Sequence, residues 1–194
     1  FDFIHARARL AKVMQARRCS IEPGCKLQLN KALNPELILN GQDVIPNNIA
    51  WDQSTHVIII SGPNTGGKTV TLKTVGLMSL MSRSGLFLPV DKGSQIPFYP
   101  EIYADIGDDQ NIGLSLSTFS AHLKKIIHII NHAASGSLIL LDELGIATDP
   151  QEGASLAEAI LTELNDKKVT SLVSTHYFEL KLLAQTRSGF LNAC

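Results

Sequence analysis

The sequence lacks the features that mark membrane-spanning and disulfide-stabilised secreted proteins. No apolar run approaches the roughly 18 residues that a membrane-spanning helix needs. The first 15 residues carry several charges and do not resemble a signal peptide. The chain has only 3 cysteines and no CxxC pair, and an odd number argues against a disulfide framework. We therefore expect a cytoplasmic protein with reduced thiols and without a membrane partner.

An excess of positive charge is also missing. The chain has 17 Lys and Arg against 18 Asp and Glu, which gives a net charge of −1, and it contains no dense basic block. A domain whose main task is to bind the phosphates of a duplex usually carries a basic patch. Any DNA contact is therefore expected in domains outside this sequence. With 44% hydrophobic and 18% charged residues, the composition is that of a globular chain.

Apolar, β-branched runs alternate with helical patterns along most of the chain. The elements predicted with good patterns are strands at 56–61, 137–141 and 169–174 and helices at 68–83, 118–133, 153–164 and 178–184. Weaker predictions are a helix within 1–18, short strands and turns over 19–55, and strands at 86–90 and 100–104. This alternation predicts an α/β fold with a mostly parallel sheet flanked by helices.

A glycine-rich segment between the first strong strand and its helix matches the phosphate-binding pattern G-x-x-x-x-G-K-[ST]. The residues of this P-loop are Gly62, Pro63, Asn64, Thr65, Gly66, Gly67, Lys68 and Thr69, and Val70 follows them in the predicted nucleotide site. Glycines let successive backbone N–H groups converge on phosphate oxygens, and the following helix adds its positive dipole end. Lys68 would reach the β- and γ-phosphates of ATP, and Thr69 would bind Mg²⁺. The alternative is a glycine-rich turn with a coincidental lysine.

Two carboxylates follow the apolar strand 137–141. Asp142 is placed to hold the Mg²⁺ shell, and Glu143 to orient or deprotonate the attacking water. The alternative is that both acids only end a strand at the surface. Kinases that transfer phosphate to small molecules do not need the second acid, whereas water-activating ATPases of the ABC type usually have one. The sequence also lacks the NKxD motif that reads guanine, which argues against a GTPase. The sequence therefore predicts an Mg²⁺-dependent ATPase.

Four segments resemble motifs of the MutS family of DNA-processing ATPases, in the order that the family has them. They are GPNTGGKTVTLKTVGL (62–77), DIGDDQNIGLSLSTFSAHL (105–123), LLDELGIATDPQEGASLAEAIL (140–161) and STHYFEL (174–180). Thr65, the GKT continuation and the TDPQEG stretch (148–153) are similar to the type-two bacterial branch. That branch is associated with branched or recombination-intermediate DNA and with stalled ribosomes, and it often carries a C-terminal Smr nuclease domain. The resemblance thus implies an ATPase switch domain that serves mismatch repair, the suppression of recombination or the rescue of stalled ribosomes.

The resemblance implies the organisation and the partners of the chain. Residues 1–18 would end a preceding helical region, and 19–194 would be a C-terminally truncated MutS-type ATPase domain, a P-loop NTPase of the ABC type. Its partners would be a second copy in a homodimer, mismatched or branched DNA bound through other domains, and the ribosome. Any nuclease activity would lie outside this chain.

The resemblance also assigns roles to residues whose type alone leaves alternatives open. His176 matches the switch histidine that senses the γ-phosphate and the attacking water, although it could be an ordinary core histidine. Ser117 and Thr118 match the signature segment that reaches the other subunit's γ-phosphate, although a plain helix N-cap is compatible with them. Ile45 and Asn47 match the segment that packs on the adenine.

Two other functions stay open at this point. Another ABC-type ATPase, such as a transporter engine, would carry an LSGGQ-like signature where this chain reads SLSTF (115–119). A dimerisation module that binds ATP without turnover would not need Glu143 and His176. His128 and His132 share a predicted helix but lack a convergent third ligand, so they are a poor zinc site.

Overall fold

The computed structural model describes residues 1–62, 67–107, 116–145 and 150–193, with the backbone alone at 116–119. It divides into two compact units. Unit 1 comprises Phe1–Gln53 and Lys73–Pro100, and unit 2 comprises Ser54–Leu72 and Glu101–Cys194.

Helices and strands alternate along most of the chain. In order they are α1 (Asp2–Val13), β1 (Ser20–Glu22), β2 (Leu27–Ala32), α2 (Pro35–Leu39), β3 (Asn47–Trp51), β4 (Val57–Ser61), α3 (Lys68–Arg83), β5 (Gln95–Pro97), β6 (Ile102–Asp105), α4 (Leu116–His132), β7 (Leu138–Leu141), α5 (Pro150–Asp166), β8 (Thr170–Thr175), α6 (Phe178–Thr186) and β9 (Phe190–Ala193). The strongly patterned strands and helices of the sequence are confirmed, with ends that differ by a few residues.

Unit 1 contains a four-stranded mixed sheet in the order β1-β5-β2-β3. Strand β2 pairs antiparallel with β3 and β5, and β1 pairs parallel with β5. The Asn34 side chain caps α2, because its Oδ1 accepts the Leu37 N–H at 3.1 Å. Its Nδ2 donates to Thr74 Oγ1 at 2.9 Å, and this bond ties the cap to the part of α3 that belongs to the same unit.

The weakest sequence predictions fall in this unit. The strand predicted at 86–90 is wrong: Leu88 makes only an isolated bridge with Arg17, and the strand of this region is β5. Pro89 has no N–H to donate to a ladder, which accounts for the missing strand. Helix α2 was not predicted, because its 5 residues are too few to show a helical period.

Unit 2 contains a five-stranded parallel sheet in the order β6-β7-β8-β4-β9. One core joins the sheet to α4, α5 and α6; its strand residues include Val57, Ile59, Ile139, Leu141 and Val173. The alternate residues Ile58, Leu140 and Leu172 point to the other face and are buried as well. Strands buried on both faces read as continuous apolar runs, which is the pattern of this sequence. The α/β prediction is therefore confirmed.

The register of this sheet brings the carboxyl ends of four strands to one edge. Ser61 lies opposite Thr175, so β4 and β8 end side by side. Leu141 lies opposite Val173 and also opposite Asp105, so β7 ends beside β8 and β6. In parallel α/β sheets, ligands bind outside the carboxyl ends of the strands. The segments that follow β4, β7 and β8 leave from this edge.

The described part of the chain offers no helix with the length and apolar composition that crossing a membrane requires. Cys19 and Cys25 are free thiols. Burial, with a smaller contribution from the neighbouring Cys25, raises the pKa of the Cys19 thiol to about 11. Since the thiolate is the reactive form, Cys19 is an inert packing residue at neutral pH.

Candidate functional site

The P-loop is described at its two ends, and Pro63, Asn64, Thr65 and Gly66 lie outside the described residues. Gly67 has φ of 75°, a region that residues with a Cβ seldom adopt. Its carbonyl accepts the N–H of Thr71 at 2.9 Å and the Thr71 hydroxyl at 3.0 Å. The turn at Gly67 therefore starts α3, whose first N–H groups have no partner within the helix.

Lys68 connects the two ends of the P-loop. Its side chain is on the first residue of α3 and is only 5% exposed. Its Nζ donates to the Gly62 carbonyl at 2.6 Å, directly after β4. A buried ammonium is tolerated where polar groups surround it, so this position concentrates positive charge at the sheet edge. Thr69 and Val70 follow it on the first turn of α3.

The acid pair occupies a turn after β7 that is held by the neighbouring strands. The Asp142 N–H donates to the Asp105 carbonyl at 3.0 Å, which extends the pairing of β7 with β6. Glu143 has φ of 52°, the left-handed region that non-glycine residues rarely occupy. On the β8 side, the Ser174 hydroxyl donates to Asp142 Oδ1 and accepts the Glu143 N–H at 2.8 Å. The Leu144 N–H donates to the Ser174 carbonyl at 3.2 Å.

The structure brings Glu143 and His176 together. Their nearest atoms, Glu143 Oε1 and His176 Nε2, are 3.7 Å apart. This distance is beyond a good hydrogen bond, yet it leaves both side chains facing the same small region. The two side chains are 45% and 36% exposed, so both groups are open to a ligand or to solvent. Their assigned roles stay predictions.

Tyr177 links the turn after the acids to the start of α5. Its hydroxyl donates to the Gly145 carbonyl at 2.7 Å, and its N–H donates to Thr175 Oγ1 at 3.1 Å. A Cβ on Gly145 would lie 2.7 Å from the Tyr177 ring, and a Cβ on Gly153 would meet the Tyr177 hydroxyl. Glycine is therefore required at both positions for this packing. No motif in the sequence indicated this contact.

Asp105 is a second residue whose importance was not predicted from the sequence. Its carboxylate is 8% exposed and lies 2.9 Å from His122 Nδ1 and 3.2 Å from Lys125 Nζ. Both partners are on α4, so the carboxylate joins that helix to the end of β6. The available signal was an acid at the carboxyl end of a predicted strand, followed by a helix with basic residues.

We expect Asp105→Asn to destabilise the protein by about 1–3 kcal/mol, because two side chains of α4 would lose their charged acceptor at a buried position. Urea unfolding measures this. Asp91→Asn is the matched control, since Asp91 is an exposed carboxylate that contacts Arg17 and Lys31 at 3.8 and 3.7 Å. Equal unfolding midpoints for the two variants would contradict the structural role of Asp105.

The remaining predicted residues are placed only in part. Ser117 and Thr118 belong by backbone to the first turn of α4, and their side chains lie outside the described residues. Ile45 is 81% exposed, and Asn47 begins β3; both belong to unit 1, and their part in an adenine pocket stays a prediction.

His128 and His132 of α4 are not part of a metal-binding cluster among the described residues. Within the described ranges, no group of three or more His, Cys, Asp or Glu side chains could hold a metal ion. The rings of His128 and His132 stack with centroids 4.0 Å apart, and His132 Nδ1 lies 2.7 Å from the His128 carbonyl.

Comparison with known proteins connects this site to a family. The model of MutS domain V matches residues 58–193. Proteins named Endonuclease MutS2 are similar over 192 residues: 47% identical in Lactobacillus gasseri, 48% in Caldicellulosiruptor bescii and 46% in Bacillus velezensis. In each case the alignment covers 99% of this chain and 24% of the relative, so the chain spans about a quarter of their length.

The matched residues contain both described ends of the P-loop, the acid pair and His176. Domain V is a P-loop ATPase domain, in agreement with the parallel sheet of unit 2. The similarity to the three relatives extends over nearly the whole chain and supports the type-two branch. The chain therefore belongs to the MutS family, as a domain V of the MutS2 kind.

Proposed function

We propose that this chain is the ATP-binding and ATP-hydrolysing switch domain of a longer DNA-processing protein. One observation carries the proposal: Lys68, the pair Asp142–Glu143 and His176 follow three adjacent parallel strands at one sheet edge. A buried cation, two carboxylates and an imidazole at such an edge can bind phosphate, hold Mg²⁺ and activate water, as ATP hydrolysis requires.

The proposed ligands form two groups: those that would bind phosphate, which we call the phosphate side, and those that would hold the metal ion, which we call the metal side. Lys68 and the first N–H groups of α3 would bind the β- and γ-phosphates. The Thr69 hydroxyl and the Asp142 carboxylate would hold Mg²⁺, and both are the hard oxygen donors that this ion prefers. Mg²⁺ prefers few protein ligands beside water and phosphate, so a site with two protein donors fits it. The ion would neutralise phosphate charge during transfer.

Glu143 and His176 would act on the water. Glu143 is the exposed carboxylate next to the metal-side acid, so it is placed to orient the attacking water and accept its proton. His176 Nε2, at 3.7 Å from that carboxylate, would hold the water or the γ-phosphate from the side of β8. A scaffold module without turnover would not need this pairing of base and imidazole.

We also propose that the complete site needs two chains. Ser117 and Thr118 would supply donors to the γ-phosphate bound by a second copy, and a single copy would lack them. Missing transition-state donors cost about 10²–10³-fold in rate. The homodimer would thus couple hydrolysis to assembly.

We expect the purified chain to release phosphate from ATP slowly, with a specific rate that rises with protein concentration from nanomolar to high micromolar. Mixing Glu143→Gln chains with Ser117→Ala chains should restore part of the rate, because one of the two sites in a mixed dimer is intact. A specific rate independent of concentration, without rescue on mixing, would mean that one chain holds a complete site.

The wider functions belong to segments beyond these residues. The net charge of −1 argues that contact with mismatched or branched DNA lies in other parts of the protein. The whole protein would act in the cytoplasm. The relatives named Endonuclease MutS2 are about four times as long as this chain, which leaves room for DNA-binding, ribosome-binding and nuclease segments.

A further inference from the structure

We propose that Ser174 is the positioning residue of this site, since its single hydroxyl sets the placement of Asp142 and Glu143 relative to each other. The inference rests on the proposed ATPase function. It adds a residue to which neither the motifs nor the comparisons give a role.

Ser174 contacts both acids through one side chain. It lies near the end of β8, is 0% exposed, and pairs in register with Ile60 of the P-loop strand. Its hydroxyl donates to Asp142 Oδ1 and accepts the Glu143 N–H at 2.8 Å. A hydroxyl offers one donor and two acceptor positions, so one side chain can serve both acids at once. The Ser174 carbonyl also accepts the Leu144 N–H at 3.2 Å.

The backbone conformation of Glu143 shows why the hydrogen bonds of Ser174 are needed. Its φ of 52° is costly for a residue with a Cβ, and such conformations persist only where several contacts determine them. Ser174 supplies two of those contacts, one before and one after the Glu143 Cα. The direction in which the Glu143 side chain leaves the turn therefore depends on Ser174.

The same hydroxyl restrains the metal-side acid. A hydrogen bond to one carboxylate oxygen fixes the rotation of the Asp142 side chain, as outer-sphere bonds do for metal-binding carboxylates. Without the hydroxyl, Asp142 Oδ1 and the Glu143 N–H lose a shared partner in a partly buried place. The side chains of Asp142 and Glu143 would then both lose their fixed orientation, while the placement of Lys68 would not change.

The test compares Ser174→Ala with Ser174→Thr, which keeps the hydroxyl, and with Ser171→Ala. Ser171 is the matched control, because it is also 0% exposed in β8, but its hydroxyl contacts the Val169 carbonyl at 3.3 Å. The measurements are the affinity for a fluorescent ATP analogue, kcat, the Mg²⁺ concentration for half-maximal turnover and the binding of Mn²⁺ in the presence of ADP.

For Ser174→Ala we expect kcat to fall and Mn²⁺ affinity to weaken, each by about 10–100-fold, as loss of an outer-sphere bond to a metal-binding group typically does. The half-maximal Mg²⁺ concentration should rise in step, while ATP-analogue affinity changes by less than about threefold. Ser174→Thr and Ser171→Ala should remain close to the unmodified chain. If Ser174→Ala does not fold, Ser174→Cys gives the same comparison, because a thiol fills the volume but is a weak donor.

Normal Mn²⁺ binding and turnover in folded Ser174→Ala would overturn the inference, and so would equal losses in Ser171→Ala. If the proposed ATPase function itself is wrong, the unmodified chain would release no phosphate, or Glu143→Gln would release phosphate at the same rate as the unmodified chain. In that event the Mn²⁺ titration of the Ser174 variants still decides whether Ser174 positions the acids.

Discussion

Lys68→Ala is expected to abolish tight binding of Mg·ATP, with a loss of affinity of roughly 10²-fold or more, as for truncation of a buried charge that faces its partner. Lys68, the first residue of α3, is 5% exposed, and its ammonium donates to the Gly62 carbonyl. The backbone N–H groups of the loop alone cannot offset the charge of the γ-phosphate.

Equilibrium titration with a fluorescent ATP analogue measures the effect. Lys124→Ala is the control, because Lys124 is an exposed lysine of α4 in the same unit. Circular dichroism shows whether the variant keeps the helical content of the unmodified chain. Unchanged nucleotide affinity in a folded Lys68→Ala protein would remove the phosphate-binding role of this segment.

Glu143→Gln is expected to keep nucleotide binding and to reduce hydrolysis by about 10²-fold or more, the usual cost of losing a general base. Glutamine preserves the size of the side chain and the hydrogen bond from residue 143 N–H to Ser174, and it removes only the basic carboxylate. Single-turnover phosphate release with saturating ATP separates this chemical step from binding.

The control for this variant is Glu163→Gln, which changes an exposed acid of α5 that pairs with Lys167 at 3.6 Å. Turnover by Glu143→Gln at the rate of this control would show that another group activates the water. Weak ATP binding by Glu143→Gln would instead show that the carboxylate contributes to nucleotide affinity.

The parts of the fold that sequence predicted are those that local chemistry determines. The runs VIIIS and LILL identify β4 and β7, because strands buried on both faces have no polar alternation. Gly67 and Lys68 identify the start of α3, since a positive φ and a helix N-terminus each require particular residues. The acid pair follows from its place after an apolar strand.

The parts that sequence did not predict depend on partners distant in the chain. Strand β9 has a weak pattern of its own and exists because β4 offers it a parallel edge. Ser174 was visible only as one residue of a motif, because its contacts with Asp142 and Glu143 arise from the register of β7 with β8. Asp105 likewise becomes important only once α4 packs against β6.

The strand order has a consequence for how this protein is made. Strand β4, which leads into the P-loop, is the first strand of unit 2 along the chain, yet its ladder partners are β8 and β9, more than 100 residues later. During synthesis one edge of β4 can be paired only after 170–175 have been added, and the other only after 190–193. Long-range parallel pairing of this kind folds slowly and exposes unpaired edges meanwhile. The P-loop is therefore among the first parts of unit 2 to be translated and among the last to acquire its native support.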